Sequence, residues 1–455
     1  MPINSFLYPA KHVPVAYEVA NSCRFEDSSD DGLNRTLGTP TNNYKWTISF
    51  WLKRTELGVE DAIMTSFTNT QNRGMLLFRT DDRLEILDLQ SDSYVMQKKT
   101  NRQFRDVSAW YHIVISSDAT LSSPATKFYV NGVEETSFAT TNEYTQNQAN
   151  KWNSAIANYI GNDSSTRDFS GYLAEFVFID GQALAADQFG EFDSDSPTIW
   201  KPIDVSGLTF GNNGFYLDFE DSSNLGNDAN GGTDWTVSNL TAVDQSTDTC
   251  TNNFATLNSL ANLTGSPTFS EGNLKVAGDN AANNNWQTTF VVSSGKWYWE
   301  LKDLTSSPDG SLLFYDQSTS SGSHPGYGFV LNTKKKVIGG SPTGSAIGSS
   351  AQNDIWSMAL DLDNGKMFIA RNGAYLESGD PENGTNPFIQ TSDGLPSEGV
   401  FGGHIYDGSM ELNFGGGTPT SISSGNADDN GYGNFEYDVP AGFYSLCTKN
   451  LAEFG

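Results

Sequence analysis

The chain has 455 residues, with 26 basic and 55 acidic side chains, a formal net charge of −29 at pH 7 and a pI near 4.3. Such a charge repels phosphate backbones and anionic lipid surfaces, and therefore argues against nucleic-acid binding and membrane-surface binding. Aromatic residues make up 12% of the chain, which is typical of a folded protein and not of an acidic disordered one. The length predicts two to four domains.

The N-terminal segment, residues 2–17, contains three prolines and several apolar side chains. A free segment of that composition would leave its apolar side chains exposed to water. We therefore expect it to dock on a neighbouring subunit through Phe6, Leu7, Tyr8 and Tyr17. No basic stretch followed by an apolar run is visible, so we expect no signal peptide. No stretch of 18 apolar residues predicts a membrane span.

A first strand-rich block begins at residues 46–52, where large apolar and small polar side chains alternate as in a half-buried strand. Similar runs follow at residues 75–78, 84–89, 111–116, 127–130 and 172–179. Asn131-Gly132 between two such runs predicts a tight hairpin, because both residue types tolerate a positive φ. The helix candidate of this block is residues 183–189. Many short strands joined by Gly, Asn and Asp turns predict a β-sandwich or barrel.

Residues 186–275 are rich in Asn, Asp, Ser, Thr and Gly. Within this span only residues 214–220 have the pattern of a strand, and one interpretation is that this strand returns to the first sandwich. A second strand-rich block follows, with runs at residues 297–301, 326–331, 355–362, 366–371, 400–405 and 410–414. Asn364-Gly365 and Asn372-Gly373 bracket one short strand, which predicts consecutive hairpins of an antiparallel sheet.

Four motifs of the first block resemble the laminin-G-like, concanavalin-type lectin sandwich. They are residues 46–52, Trp110-Tyr111-His112-Ile113-Val114, Phe128-Tyr129-Val130-Asn131-Gly132 and Gly171-Tyr172-Leu173-Ala174-Glu175-Phe176. Their order and spacing fit that family over about residues 20–190. The resemblance implies a two-sheet sandwich. Proteins with this type of sandwich include both lectins and glycosidases.

The second block resembles a SPRY-type sandwich, a distinct branch of the same jelly-roll architecture. The motifs in family order are Gly295-Lys296-Trp297-Tyr298-Trp299-Glu300, Gly326-Tyr327-Gly328-Phe329, Leu360-Asp361-Leu362-Asp363-Asn364-Gly365-Lys366 and Asn372-Gly373. Val400-Phe401-Gly402-Gly403 departs from the family's usual apolar stretch before the last strands, which leaves the local binding loops open. The tandem of two sandwiches with an Asn/Asp-rich connector is similar to structural proteins of tailed bacteriophages.

A glycosidase of the retaining type needs two carboxyl groups about 5 Å apart. The glucanase pattern Glu-x-Asp-x-x-Glu is absent from the sequence, and the nearest imitations are Glu191 with Asp193 and Asp195, and Asp218 with Glu220. The first set follows the helix candidate in a polar loop, which would leave it hydrated. No Gly-x-Ser-x-Gly elbow and no phosphate-binding loop are present either. We therefore predict that the protein is not an enzyme.

Metal-binding patterns are equally weak in the sequence. Residues 361–365 resemble the start of a calcium-binding loop. Such a loop needs glycine at position six and a bidentate glutamate at position twelve, but here the glycine falls at position five and position twelve is Asn372, so we interpret the segment as a hairpin. Loop carboxylates such as Asp163 and Asp168 could bind a structural calcium ion, although a solvated acidic loop is the favoured interpretation. The four histidines are not at ligand spacing (His12, His112, His324, His404). The three cysteines predict reduced, mostly buried thiols (Cys23, Cys250, Cys447).

Aromatic side chains in polar loops are the remaining candidates for a binding site, because sugars stack their apolar faces on rings. Tryptophans in the strand patterns are assigned to the core instead. The predicted ligand-binding residues are Tyr144, Trp152, Trp235, Tyr315 and Tyr375.

We therefore predict an all-β protein of two tandem antiparallel β-sandwiches with a short N-terminal arm. The expected divisions are an arm at 1–19, a laminin-G-like sandwich at 20–220, an irregular connector at 221–275 and a SPRY-like sandwich at 276–455. The expected function is a non-enzymatic virion surface protein made in the host cytoplasm, acting as a tail fibre or adhesin that binds host-cell glycan. The expected partners are other virion proteins and copies of the same chain, without cofactors. A capsid decoration or head fibre protein and a polysaccharide depolymerase are the alternatives.

Overall fold

The computed structural model describes residues 17–163, 167–261, 264–281, 283–305, 309–316 and 324–455. Within these ranges the regular secondary structure is almost entirely β-strand, beside a few 3₁₀ turns and one α-helix, α1 (Thr448–Phe454). None of the helices in these ranges has the length and apolar character needed to cross a membrane.

Strands β1 to β18 belong to the first half of the chain. They are β1 (Ser22–Phe25), β2 (Gly32–Thr36), β3 (Lys45–Arg54), β4 (Asp61–Asn69), β5 (Asn72–Phe78), β6 (Arg83–Gln90), β7 (Ser93–Gln103), β8 (Trp110–Asp118), β9 (Ala125–Val130), β10 (Val133–Glu135), β11 (Phe138–Asn142), β12 (Ala157–Ile160), β13 (Gly171–Asp180), β14 (Gly190–Phe192), β15 (Trp200–Pro202), β16 (Phe215–Leu217), β17 (Thr236–Ser238) and β18 (Gln245–Ser246).

Strands β19 to β33 complete the chain. They are β19 (Thr268–Ser270), β20 (Lys275–Ala277), β21 (Asn284–Val292), β22 (Lys296–Asp303), β23 (Asp309–Tyr315), β24 (Tyr327–Val330), β25 (Lys335–Ile338), β26 (Ser341–Thr343), β27 (Ile355–Asp361), β28 (Lys366–Arg371), β29 (Ala374–Tyr375), β30 (Ile389–Gln390), β31 (Gly399–Asp407), β32 (Ser409–Asn413) and β33 (Tyr444–Ser445).

The first sandwich consists of two antiparallel sheets. Sheet I has the order β10-β9-β8-β3-β13-β1-β18, with β16 beside β13, and sheet II has the order β11-β7-β6-β5-β4-β12-β2-β17. Alternate side chains of both sheets point inward and enclose a core that contains Trp46, Phe50, Ile86 and Phe176, all fully buried. The concanavalin-like fold class predicted for this half is confirmed.

The second sandwich repeats the two-sheet arrangement. Sheet III has the order β19-β20-β32-β22-β27-β28-β29, with β30 beside β28 and β33 parallel to β22, and sheet IV has the order β21-β31-β23-β24-β25-β26. Trp297, Trp299 and Trp356 lie in the core between the two sheets. The predicted pair of tandem sandwiches is therefore present.

The turn residues singled out in the sequence occupy the turns expected of them. Asn131 and Gly132 have φ values of 48° and 77° and join β9 to β10. Asn372 and Gly373, with φ values of 49° and 77°, join β28 to β29. Both pairs therefore adopt the left-handed backbone that a two-residue hairpin requires.

Two regions differ from expectation. The helix candidate contains a single 3₁₀ turn, Ala186–Gln188, because its apolar side chains Ala186 and Phe189 pack on the outer face of sheet I and the chain then enters β14. Residues 221–275, which we predicted to be irregular, contribute β17 and β18 to the first sandwich, and β19 and the first residue of β20 to the second. The strand predicted at 214–220 is β16, which does return to the first sandwich.

Residues 244–254, here called the clasp, connect the two sandwiches. The Nζ of Lys53, on β3, lies 2.8 Å from Asp248 Oδ2, and both side chains are buried. The indole nitrogen of Trp110 donates to Asp248 Oδ1 at 3.0 Å. On the other side, the backbone nitrogen of Thr247 donates to the carbonyl of Gly416 in the second sandwich at 2.7 Å. The clasp is thus bonded to both halves.

Further hydrogen bonds and ion pairs join the two sandwiches. The Tyr172 hydroxyl donates to the carbonyl of Gly272 at 2.9 Å, and Asn273 Nδ2 donates to the carbonyl of Thr55 at 3.1 Å. Arg24 pairs with Asp244 at 2.8 Å and with Glu271 at 3.3 Å.

The two ends of the described chain lie together. Glu18 Oε2 is 2.8 Å from Lys449 Nζ on α1. The Tyr17 hydroxyl donates to Glu175 Oε2 at 3.1 Å, within the same chain. Of the four side chains predicted to dock the arm, Tyr17 is therefore packed on its own sandwich, and Phe6, Leu7 and Tyr8 lie outside the described residues.

Candidate functional site

Four of the five aromatic residues predicted to meet a ligand are buried, and their predicted exposure is wrong. Tyr144, Trp152 and Trp235 lie in the core of the first sandwich, and Tyr315 packs with Val400 on the outer face of sheet IV. Their polar sequence neighbours are typical of exposed loops, although the rings themselves turn inward. The Tyr144 hydroxyl, for example, donates to the buried Asp88 Oδ2 at 2.9 Å.

The fifth residue, Tyr375, is half-buried and lines a cleft of about 340 Å³ on the second sandwich. We call it the aromatic cleft, and its lining residues are Gly373, Tyr375, Gly379, Asp380, Pro381, Glu382, Tyr437, Asp438, Val439 and Pro440. The volume lies in the range of small-molecule sites.

Tyr375 reaches the cleft through the hairpin that joins β28 to β29. Its ring lies edge-on to the buried Phe368, with ring centroids 6.5 Å apart. It belongs to an apolar cluster with Tyr298, Phe435 and Phe443 on the outer face of sheet III. The floor of the cleft is therefore a fixed apolar layer.

Tyr437, the second ring, comes from a distant segment and was not singled out in the sequence. The buried carboxylate of Glu300 accepts the backbone N–H groups of Glu436 and Tyr437, each at 2.9 Å, and the Tyr298 hydroxyl donates to the same carboxylate at 2.9 Å. These bonds hold the segment against sheet III, which brings Tyr437 beside Tyr375 in the cleft.

Gly373 makes the close approach of the Tyr437 ring feasible. A Cβ atom at this position would lie 2.7 Å from Cδ1 of Tyr437, inside any normal contact. The glycine is also at φ +77°, where side chains are disfavoured. The Asn372-Gly373 signal was visible in the sequence as a turn, but its contact with Tyr437 was not.

The acidic wall of the cleft is ordered by its own hydrogen bonds. Asp380 accepts from the backbone N–H of Asn383 at 3.0 Å and from its side-chain amide at 2.8 Å. Glu382 Oε1 accepts from the backbone N–H of Ala441 at 3.3 Å and so links the two walls. Asp438 is exposed at the mouth.

The electrostatics of the aromatic cleft disfavour an anionic ligand, and its phenols and carboxylates can bond to hydroxyl groups. Burial, with Glu300 and Glu382 nearby, raises the pKa of Tyr375, and burial with Glu436 nearby raises that of Tyr437, so both phenols stay protonated donors at neutral pH. Hydrogen bonds from Asn383 lower the pKa of Asp380, which keeps it an acceptor. Among the described residues that line the cleft, none is a lysine, arginine or histidine.

A larger cleft of about 750 Å³ lies where the two sandwiches meet. We call it the inter-sandwich cleft, and it is lined by Glu26, Asp27, Ser28, Thr55, Glu56, Leu57, Ser170, Asn258, Ser259, Leu260, Ala261, Gly265, Ser266, Pro267, Thr268, Phe269, Ser270, Asn273 and Asn285. Hydroxyl and amide groups dominate it, and Phe269 is its one aromatic ring among the described lining residues.

Glu26 is the most perturbed carboxyl group of the inter-sandwich cleft. Burial, with Asp27 and Glu271 nearby, raises its pKa to about 7. Its Oε2 accepts the backbone N–H of Glu271 at 2.5 Å, across the interface. Burial also raises the pKa of Glu56.

The carboxylates examined as catalytic candidates do not converge with either cleft. Glu191 and Asp193 lie exposed or half-exposed on the β14–β15 hairpin, within 3.1 and 3.6 Å of Lys201. Asp218 and Glu220 follow β16 and line neither cleft.

The candidate metal ligands are engaged in protein contacts. Asp361 accepts hydrogen bonds from Asn364 in the β27–β28 hairpin, as the hairpin interpretation predicted. Asp163 pairs with Arg167 at 2.7 Å, and burial with Asp30 nearby raises the pKa of Asp168 to about 6. Within the described ranges, no group of three or more His, Cys, Asp or Glu side chains is arranged to hold a metal ion.

The cysteines and two strand histidines are placed as the sequence predicted. All three thiols are free, with Cys23 and Cys447 buried and Cys250 half-buried. His112 lies on β8 and His404 on β31, both buried, and burial lowers their pKa values to about 3 and about 4.

Part of the first sandwich matches a known family model. Residues 27–188 match the Laminin_G_3 family model, described as the Concanavalin A-like lectin/glucanases superfamily. The matched region lies within the first sandwich and contains neither cleft-lining tyrosine. Comparison with curated proteins finds no match.

Three solved structures are similar to parts of this chain at low identity. A heptameric SAP-like pentraxin from Limulus polyphemus is 15% identical with a TM-score of 0.29, covering 38% of this chain and 82% of its own. The SPRY domain of human HERC1 is 10% identical with a TM-score of 0.29, covering 35% and 98%. A putative carbohydrate binding protein from Bacteroides ovatus is 15% identical with a TM-score of 0.34, covering 50% and 60%.

Proposed function

We propose that this chain is a non-enzymatic carbohydrate-binding protein, and that the aromatic cleft holds a neutral saccharide. The observation that carries the proposal is a cleft of about 340 Å³ that is lined by two tyrosines, Tyr375 and Tyr437, and by three carboxylates. Rings stack on the apolar faces of sugars, and carboxylates and phenols bond to hydroxyl groups. The lectin/glucanase family match of the first sandwich agrees with the same ligand class.

A glycan array tests the ligand class. The probes are neutral oligosaccharides of glucose, galactose, mannose and N-acetylglucosamine, with sialylated and sulfated glycans beside them. We expect neutral glycans to be retained and acidic ones rejected, because the carboxylates of the cleft face no cationic lining residue. Retention of acidic glycans alone, or of none, would contradict the proposal.

Single substitutions test the site. Tyr375→Ala and Tyr437→Ala should each weaken binding of the best neutral glycan about 10-fold, since a stacked ring is worth on the order of 1–1.5 kcal/mol. Tyr94→Ala, an exposed tyrosine of the first sandwich that lines neither cleft, is the matched control. Unchanged affinity in both cleft variants, measured by calorimetry, would remove the site from consideration.

The biological setting of the proposal is the surface of a tailed-phage virion, with the protein acting as a tail fibre or adhesin. The resemblance of the sandwich tandem to phage structural proteins and the apolar N-terminal segment support it. Cryo-electron microscopy of intact particles tests it through position and copy number. Density at the tail in small copy number is expected, whereas density across the capsid lattice would make the chain a decoration protein.

The non-enzymatic part of the proposal has its own test. Incubating the purified chain with bacterial polysaccharides and assaying new reducing ends should give no release above a buffer control. Release that disappears in Glu191→Gln or Asp193→Asn would instead favour a depolymerase.

A further inference from the structure

The inter-sandwich cleft takes no part in the saccharide binding proposed for the aromatic cleft. Its volume of about 750 Å³ is about twice the 340 Å³ of the aromatic cleft, and both volumes lie in the range of small-molecule sites. The loops after β1 and β3 form much of one wall, and residues 258–261 and 265–270 form much of the other. A molecule in this cleft would therefore contact both sandwiches.

Hydroxyl groups line both walls of the inter-sandwich cleft. Ser28 and Ser170 belong to the first sandwich. Ser259, Ser266 and Thr268 belong to the second. A hydroxyl group can both donate and accept a hydrogen bond, so this lining suits a ligand that carries many hydroxyl groups of its own.

Apolar side chains lie among these hydroxyl groups. Leu260 keeps 54% of its surface exposed although it lines the cleft, and Leu57, Pro267 and Phe269 line it as half-buried side chains. The faces of sugar rings carry C–H groups, and packing them on apolar side chains removes both surfaces from water. The cleft thus offers both kinds of contact that a saccharide makes.

The charge of the inter-sandwich cleft disfavours anionic ligands. Glu26, Asp27 and Glu56 line it, and none of the described lining residues is a lysine, arginine or histidine. Burial, with Asp27 nearby, raises the pKa of Glu26 to about 7, so near neutral pH this carboxyl group exists both as a donor and as an acceptor. Sugar hydroxyl groups can bond to either form, whereas phosphate, sulfate and carboxylate groups are repelled.

The turn between β19 and β20 contributes to the cleft and has an unusual backbone. Asn273 lines the cleft, and Glu271, Gly272 and Asn273 have φ values of 55°, 69° and 60°. Residues in this left-handed region persist where surrounding contacts fix them, and they are concentrated at functional sites. Here the contacts are hydrogen bonds across the interface to Glu26, Tyr172 and Thr55. The chain itself therefore fixes this part of the cleft, which lowers the cost of ordering it around a ligand.

We propose that the inter-sandwich cleft is a second saccharide site, which holds a neutral oligosaccharide longer than the ligand of the aromatic cleft. The bound oligosaccharide contacts both sandwiches at once. The two sites are separate, because the residues that line the aromatic cleft all belong to the second sandwich and none of them lines the inter-sandwich cleft.

Calorimetry on a full-length chain with an altered aromatic cleft tests the second site. The variant Y375A/Y437A and the wild type are titrated with neutral hexasaccharides of glucose, galactose, mannose and N-acetylglucosamine. For the hexasaccharide that binds best, we expect two molecules per wild-type chain and one per variant chain. The corresponding disaccharide should bind the variant at least 10-fold more weakly, because it fills less of the cleft.

The number of sites separates this inference from the function proposed for the aromatic cleft. One site in the wild type and none in Y375A/Y437A would overturn the inference and leave the aromatic cleft as the site. One site in both proteins would support the inter-sandwich cleft and contradict the aromatic cleft. Binding to neither protein would contradict both proposals.

Substitutions on the two walls locate the remaining site. In the Y375A/Y437A chain, Leu57→Ala and Leu260→Ala should each weaken hexasaccharide binding about 3- to 10-fold, since each removes apolar contact from one wall. Leu121→Ala is the matched control for Leu260→Ala, because Leu121 is 47% exposed and lines neither cleft, and it should leave the affinity unchanged. Unchanged affinity in both wall variants, or an equal loss in the control, would overturn the inference.

Discussion

The aromatic cleft and the inter-sandwich cleft are built in different ways. Tyr375 and Tyr437 line the aromatic cleft from two segments of a single sandwich, and Glu300 and Gly373 fix the position of Tyr437. The inter-sandwich cleft forms only because the loops after β1 and β3 lie against residues 258–261 and 265–270. The first should therefore survive damage to the interface, whereas the second depends on it.

The largest effect on stability is expected from removing the ion pair between the clasp and β3. Asp248→Asn leaves the buried Lys53 ammonium without its carboxylate, and removing one partner of a buried pair costs about 3–5 kcal/mol. Urea unfolding should report that loss of stability, while neutral-glycan binding in the aromatic cleft stays within about twofold. Glu134→Gln, which breaks the exposed pair with Lys127, should cost less than about 1 kcal/mol. Equal costs in both variants would contradict the buried role of Asp248.

The next largest effect is a change of stability with pH, and its direction differs between the two clefts. Burial raises the pKa of Glu26 to about 7, so the folded state binds its proton more tightly than the unfolded chain. That stabilisation is complete below about pH 4.5 and is lost as the pH rises through 7, a change on the order of 3 kcal/mol. Glu26→Gln should flatten the decline in the free energy of unfolding between pH 5 and pH 8.

Asp380 in the aromatic cleft should respond in the opposite direction. Its pKa is lowered by hydrogen bonds from Asn383, so its stabilisation is present at neutral pH and lost on acidification.

Glu398→Gln, at an exposed position, controls for the loss of one negative charge in the Glu26 experiment. A wild-type decline that persists unchanged in Glu26→Gln would assign the effect to other carboxyl groups.

A smaller effect is expected at Gly373. Gly373→Ala adds a Cβ atom 2.7 Å from the Tyr437 ring and should weaken glycan binding about 3- to 10-fold, besides costing about 1–2 kcal/mol of stability for its positive φ. Gly442→Ala is a matched control, since Gly442 has the same φ of +77° and no atom near its Cβ position. The control should lose similar stability and no affinity, as measured by calorimetry.

The smallest effect is expected from removing single hydroxyl groups. Tyr437→Phe keeps the ring and removes one donor, so glycan affinity should fall about 2- to 5-fold, in line with about 0.5–1 kcal/mol for a hydrogen bond. Tyr375→Phe should behave alike. A loss as large as that of the alanine variants would indicate that hydrogen bonding, not stacking, dominates in the aromatic cleft.

The fold was largely readable from the sequence. Period-two patterns such as residues 46–52 predicted the strands, because one face of each is buried against the opposite sheet. Asn131-Gly132 and Asn372-Gly373 predicted two hairpins correctly, since the turn conformation is a local property of those residues.

The candidate site was readable only in part. Tyr375 was singled out, but Tyr437 was not, because the link between them is the carboxylate of Glu300, which lies 137 residues from Tyr437 along the chain. Trp152 was misassigned, since its polar neighbours satisfy backbone groups while its ring lies in the core. Local composition thus describes a loop's solvent contacts but not the direction of each ring.

The ion pair between Glu18 and Lys449 has a topological consequence. With these two side chains 2.8 Å apart, the backbone at residue 18 lies close to the backbone at residue 449. Since α1 ends within five residues of Lys449, a short linker from residue 455 to residue 18, in place of residues 1–17, would close the chain into a ring, and the exposed turn at Ser91 and Asp92 offers a place to open it again. The fold therefore suits circular permutation, in which the order of the strands along the gene changes while their packing does not.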